Sequence, residues 1–424
     1  MSNPTTDIPH AGAPHGWRDF RFLWAGQSLS LMGDQFMLIA LPLLAVTVLG
    51  ASLAQAALLP FALKLPFLVL GLPAGAMVDR LPKRPVLIVS EAVQLASCLV
   101  IAVLAVAHRL PFWSLMVLVG ISGCANVFFQ VAYTSYLPAL IEDPRRLHQG
   151  NVRLQLSESV SRSLGPMAAG PMIALAGPAA AVLANAASFL ISLLTLRSIR
   201  HREEPPRVTR RERGWLGREI REGITFIRHH AILQPVLLCG GVYVLFQSTV
   251  ISIIVLYCKD VLHLPVAVIG LVVGVAALGY PIGNLLCGRL VDRFGQIRTI
   301  VLGASLSVLG FVIMPVAGSA GSVVGLVVAS MLHGVGEGSF GPTWLTLRQT
   351  LTPAGLLGRV NSVERFLLWG AVPLGSLLAA SSIRLLDLSA ALWIGSVGTA
   401  LCLPVLMRRG VLAGLRRGAA PLSE

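Results

Sequence analysis

Asp34 and Lys64 are ionisable residues set inside long apolar runs, where a charge is costly and serves either a partner or a reaction. At 1.5 Å per residue, Asp34 lies roughly 20 Å along its run, near the middle of a hydrocarbon core about 30 Å thick. Lys64 reaches a similar depth in the next run, too deep to extend its ammonium comfortably to water. Adjacent antiparallel helices would bring the two within reach. They could form a fixed ion pair, or Asp34 could bind and release a proton as its surroundings dry and as Lys64 approaches. His333 and Glu337 are four apart and share one helix face, so they can exchange a proton near neutral pH. The glycines between and beside them, Gly334, Gly336 and Gly338, suit a structural pair equally. Glu158 and Arg162, at the same spacing, read as a local ion pair.

Polar residues recur at helical spacing in two further runs: Asn126, Gln130 and Tyr133, then Tyr243 and Gln247. Such stripes are interhelical glue or the wall of a polar cavity, and Gln27 joins them as a cavity candidate. Gln247 holds the place in the second half that Asp34 holds in the first. It cannot titrate, so proton coupling is expected to concentrate in the first half.

A charged stretch occurs twice. GAMVDRLPKRP contains Gly75, Asp79, Arg80 and Arg84; GRLVDRFGQIR contains Gly288, Asp292 and Arg293. An acid fixed in a short loop can meet the N-terminus of a neighbouring helix, a contact worth about 0.3 to 1 kcal/mol. It would act as a latch that holds only while the helices are close. Orientation-setting charge accounts for the arginines but leaves the repeated acid unexplained. In SRSLGPMAAG, Gly165, Pro166 and Gly170 remove side chains and a backbone donor, so that helix should bend and pack closely.

These residues must be positioned by membrane helices. Only 12% of the 424 residues are charged and 55% are hydrophobic, against about 25% charged in a soluble domain. Breaking the chain at Gly, Pro and charge clusters predicts twelve helices: 21–49, 53–78, 86–107, 112–140, 152–176, 179–197, 231–258, 264–290, 299–317, 322–347, 359–383 and 388–407. Lys and Arg crowd one alternate set of loops, whereas Arg109, Lys259 and Arg384 stand on the other side. The crowded side, with both termini, is expected to be cytoplasmic. The expected organisation is a tail (1–20), a six-helix bundle (21–197), a central loop (198–230), a second bundle (231–407) and a tail (408–424). The polar first 20 residues lead straight into a full-length run, which speaks against a cleavable signal peptide. The end of the central loop, WLGREIREGITFIRHH, has the pattern of an amphipathic helix on the membrane surface. The halves repeat, and parallel repeats of this kind put a substrate path between them.

Several stretches together resemble the Major Facilitator Superfamily, in its branch of bacterial drug, macrolide and siderophore exporters. They are FRFLWAGQSLSLMGDQ, LPFLVLGLPAGAMVDRLPKRPVLI, VFFQVAYTSYLPALIEDPRRLHQGN, SLGPMAAGP and GRVNSVERF. The resemblance implies an all-α fold of twelve transmembrane helices in two pseudo-symmetric bundles, in the bacterial inner membrane. It implies alternating access, with the first, fourth, seventh and tenth helices around the cavity and the Asp79 loop as a gate. SLGPMAAGP is similar to the exporters' antiporter motif GPxxGG, with Ala169 in place of one glycine. Relatives often carry an acid where Gln130 stands, which weakens an expectation of cationic substrates.

The implied activity is secondary export of a small, partly apolar molecule in exchange for protons, by a protein that works as a monomer. A facilitator or importer of the same fold is the alternative within transport. An intramembrane enzyme would need clustered nucleophile and base or metal ligands, and no HExxH or GxSxG occurs. No GxxxxGK[ST] occurs for ATP, so an ion gradient is expected to supply the energy. A sensor would need a soluble output domain. Neither cofactor nor metal is expected, and the six cysteines read as small core residues. The basic balance, 33 Lys and Arg against 19 Asp and Glu, follows the loops and does not call for nucleic acid.

Overall fold

A computed structural model of the chain describes residues 15–78, 80–141, 143–201, 203, 215–353, 355–408 and 411. Its described residues form helices and the short connections between them. In lipid a single segment can satisfy its own backbone hydrogen bonds only as a helix, and the apolar runs obey this. The first half contains α1 (His15–Leu43, extended by a π-turn at Leu44–Val48), α2 (Leu53–Ala56), α3 (Leu59–Val78), α4 (Lys83–Val106), α5 (Phe112–Leu140), α6 (Pro144–Ala176) and α7 (Pro178–Ser198). After α8 (Trp215–His229), the second half contains α9 (Leu233–Asp260), α10 (Val266–Ala276), α11 (Gly279–Phe294), α12 (Gln296–Ser319), α13 (Val323–Leu351), α14 (Leu357–Leu385), α15 (Leu388–Gly398) and α16 (Cys402–Leu406).

Eleven spans among the described residues are long and apolar enough to cross a membrane, several built from two consecutive helices such as α10 with α11. The twelfth crossing is α6. Its 33 residues suffice in length, but Arg145, Arg146, Arg153, Glu158 and Arg162 make it polar at one end. It also begins earlier than the expected 152, because the Asp143 side chain accepts a hydrogen bond from the Arg145 amide and Pro144 opens the first turn. Gly177, at φ 79°, lets α6 turn directly into α7, and Gly295, at φ 81°, does the same between α11 and α12.

The two halves share one packing plan. In the first, α1 packs on α6 and α7, α3 on α5, and α4 on α5 and α7. In the second, α9 packs on α14, α15 and α16, α11 on α13, and α12 on α13 and α15. These are the same pairs under the repeat, so the fold is two pseudo-symmetric six-helix bundles. All six cysteines are free, and five of them are buried.

The halves meet mainly through α6 with α10 and α3 with α14. The twelve crossings are even in number, so the start of α1 and the end of α16 lie on one face, here called the terminal face. A Cβ on Gly170 or Gly270 would run into the facing backbone, so α6 and α10 cross there almost backbone to backbone, toward the opposite face. The terminal-face part of that crossing, α11, has no comparable packing with α6. The molecule is therefore clasped at the opposite face and parted at the terminal face.

Polar contacts tie down the terminal face of the first half. Arg84 donates to the Leu196 and Arg197 carbonyls at 3.1 and 2.8 Å, closing the end of α7. The Asp19 carboxylate accepts from the Arg200 and His201 amides at 3.0 and 2.8 Å. Glu203 accepts from the Lys83 and Arg84 amides and so caps α4. The amphipathic α8 lies against the start of α14, with Glu222 paired to Arg359 and Gly223 against the Arg359 backbone.

Candidate functional site

In the first half, Asp34 sits half-buried on α1 with Asn185 of α7 against its carboxyl. Lys64 and Asp34 interact through space, yet they form no direct ion pair. Instead the ammonium lies 4.8 Å from the Phe67 ring centroid and 4.7 Å from that of Trp369 on α14. The two rings are themselves 4.4 Å apart. Lys64 thus reaches into the other half of the molecule, which neither sequence reading foresaw: both looked only at its neighbour in the first half.

Sequence reasoning also passed over Glu91. It lies on α4, 1% exposed, and accepts a hydrogen bond from Ser192 of α7 at 2.7 Å. Its position within an apolar run was the available signal, hidden by its nearness to the charged loop at Lys83. Asn126 reaches Gln94 at 3.5 Å. Gln27 is buried with its carbonyl oxygen unpartnered, Gln130 is half-buried, and Tyr133 stacks on Phe129 with its hydroxyl unpartnered.

In the second half the residues expected from spacing converge. His333 Nδ1 shares hydrogen bonds with Tyr243 at 3.0 Å and Ser307 at 2.8 Å, and Tyr243 and Ser307 are 2.6 Å apart. His333 Nε2 lies 3.4 Å from Glu337, and Gln247 donates to the same carboxylate at 3.0 Å. The acid missing from the Gln247 position is therefore supplied beside it by α13. Both halves hold a carboxyl group at this depth, where the sequence pointed chiefly to the first. Glu337 also borders a cavity of about 180 Å³ with Tyr243, Gln247, Tyr280, Phe340 and Trp344 in its wall. A second cavity, about 240 Å³ around Tyr257 and Trp393, lies apart from these polar groups.

Arg162 bridges the two halves. It pairs with Glu158 at 2.9 Å, lies 5.2 Å above the Tyr280 ring of α11, and interacts with the Glu337 charge. The local ion pair expected from spacing exists, and it faces the space between the bundles. Each side chain of the pair remains 44% exposed, so that space is open to water.

In the α6 motif, Gly165 gives α1 its close approach at Gln35, while Pro166 and Gly170 meet Gly270 of α10. The motif is thus a joint between α1 and the second half. Of the repeated charged stretches, Asp79 lies outside the described residues. Arg80, Gly288, Asp292 and Arg293 are exposed at the terminal face, and Gly75 has open space where its side chain would be.

The profile of the Major Facilitator Superfamily matches residues 23–363 and 236–413. The chain belongs to that superfamily. Its sequence is 24% identical over 375 residues to macrolide efflux protein A of Streptococcus pyogenes, covering 86% of this chain and 90% of the relative. It is 27% identical over 394 residues to the multidrug efflux pump Tap of Mycolicibacterium fortuitum, covering 90% and 91%. In structure it resembles a bacterial homologue of the iron transporter ferroportin in its inward-facing state, with TM-score 0.72, 21% identity, and 92% and 98% coverage. The outward-facing state of that homologue fits less well, with TM-score 0.60. In this transporter of the superfamily it is the chain's own packing, α6 on α10 and not on α11, that parts the halves at the terminal face.

Proposed function

We propose that this transporter exports a small, partly hydrophobic molecule, such as a drug, macrolide or siderophore, in exchange for protons. The observation that carries this reading is an acid within the span of each half: Asp34 on α1, which interacts through space with Lys64, and Glu337 on α13, which pairs with His333 and lines the cavity. The likeness over nearly the whole chain to a macrolide and a multidrug efflux protein supports export. Substrate enters from the cytoplasm, on which both termini lie, and rests against the aromatic and polar wall around Tyr243, Gln247, Tyr280 and Trp344. When the cavity turns outward, protons replace substrate at the acids, and the neutralised site returns. Binding energy and the proton gradient do the work, and no bond of the substrate is broken. A single chain in the inner membrane carries the cycle.

Everted membrane vesicles with an imposed pH gradient test the reading, with a radiolabelled macrolide, ethidium and a ferric siderophore as probes. Gradient-dependent accumulation of at least one probe is expected, collapsing when a protonophore is added. Accumulation that ignores the pH gradient would remove proton coupling from the account.

A further inference from the structure

The cavity of about 180 Å³ in the second half sets one acid in an aromatic wall. Glu337, Phe340 and Trp344 stand at i, i+3 and i+7 of α13, so one helix face presents a carboxyl group and two rings to it. Tyr243 of α9 and Tyr280 of α11 add rings from two other helices. The two groups that approach the Glu337 carboxylate, Gln247 Nε2 at 3.0 Å and His333 Nε2 at 3.4 Å, both meet Oε2. Oε1 has no hydrogen-bond partner among the described residues, and the side chain is 31% exposed. Tyr243 or Ser307 can donate a hydroxyl hydrogen to His333 Nδ1, which leaves that imidazole neutral with its hydrogen on Nε2. The guanidinium at the rim, Arg162 of α6, lies 5.2 Å over the Tyr280 ring and is already paired with Glu158 at 2.9 Å. Two acids thus face one guanidinium. A negative charge is left over, in a wall whose rings attract a cation.

We infer that this cavity seats a protonated amine of the exported molecule, taken by Glu337 Oε1 and faced by the rings of Tyr280, Phe340 and Trp344. The inference rests on the export reading above and narrows its cargo to cationic amphiphiles. An N–H of the ammonium donates to Oε1, and its methylene groups lie against the rings. A drug-sized ligand needs roughly 300 Å³ or more, so the cavity takes the amine end and the apolar remainder lies in the open space between the bundles. An anionic cargo would meet Glu337 with like charge. The sequence weighed against cations because Gln130 stands where relatives carry an acid; here α13 supplies the acid from the other half.

The test is equilibrium binding of three fluorescent conjugates to the purified full chain in lipid nanodiscs at neutral pH. They are dansylcadaverine, whose free amine is protonated, its N-acetyl derivative, which is neutral, and the dansyl conjugate of aminohexanoic acid, an anion. The wild type should bind the amine at least about tenfold tighter than the other two. Glu337→Gln keeps the size of the side chain and its contact with Gln247, and should bring the amine down to the affinity of the acetylated conjugate. Equal or undetectable binding of the three by the wild type would overturn the proposal, as would a preference that survives Glu337→Gln. If Glu337→Gln does not fold, Phe340→Leu keeps the acid and removes a ring; it should weaken the amine more than the acetylated conjugate, and equal effects on the two would again overturn it. An amine preference in a protein whose dansylcadaverine uptake into everted vesicles ignores the pH gradient would leave the seat standing and sink the proton-coupled reading instead.

Discussion

Asp34→Asn exchanges a carboxyl for an amide of equal size, so the contact with Asn185 can persist while the titrating group is lost. Gradient-driven transport in proteoliposomes should vanish, and substrate exchange without a gradient should survive. Full gradient-driven accumulation would pass the coupling role to Glu337. A different kind of residue effect is expected at Glu364 of α14. It accepts from Trp344 Nε1 at 2.7 Å and pairs with Nη1 of Arg348, which is 8% exposed and whose Nε has no partner. Glu364→Ala strands a buried guanidinium, which costs about 3 to 5 kcal/mol. The thermal unfolding midpoint in detergent should fall clearly below that of the wild type. An unchanged midpoint would mean that Arg348 reaches water in the variant.

Between elements, two contacts join the halves away from the terminal face. Where α6 crosses α10, Gly270→Val would drive side-chain atoms into the Pro166 carbonyl and the Gly170 backbone. The clasp should open, and a cysteine placed beside Gly170 should become reactive to a membrane-impermeant thiol reagent added from the opposite side. Between α3 and α14, Trp369→Leu removes half of the aromatic seat of Lys64. A desolvated cation–π contact is worth about 2 kcal/mol, or about thirtyfold in a two-state balance. Spin-label distances across α3 and α14 should report that shift away from the terminal-open state. Trp369→Phe, which keeps a ring, should move it less; equal shifts for Leu and Phe would mean that ring volume matters and the cation does not.

For the whole molecule, the uneven loop charges and the latch make linked predictions. Cysteines beside Arg109 and Arg384 should label from outside the cell and those beside Arg84 and Arg298 should not; the reverse pattern would invert the topology. Asp292 is exposed in this state, as a latch must be when the terminal face is parted. Asp79→Asn, and more weakly Asp292→Asn, should therefore destabilise only the opposite, outward-open state. A loss of about 1 to 2 kcal/mol shifts the balance about five- to thirtyfold toward the terminal-open state. Transport should drop while cytoplasmic thiol access to the cavity rises. Unchanged access in both variants would reduce the repeated acid to a topological signal.

Much of this was legible because a bilayer imposes its rules on local sequence. Apolar runs of sufficient length must be helices, and residues four apart on a helix must share a face, so the twelve crossings and the His333–Glu337 and Glu158–Arg162 pairs could be read directly. The α6 crossing shifted its start because a cap and a proline, not hydropathy, set helix ends. Contacts between segments distant in sequence obey no such periodicity. That Lys64 seats on Trp369, that Gln247 meets Glu337, and that Glu91 meets Ser192 were decided only when the helices packed, since each depends on which faces of two remote helices meet. The open side of the cavity is likewise a property of the assembled halves: one sequence serves both states, and only the tertiary contacts distinguish them.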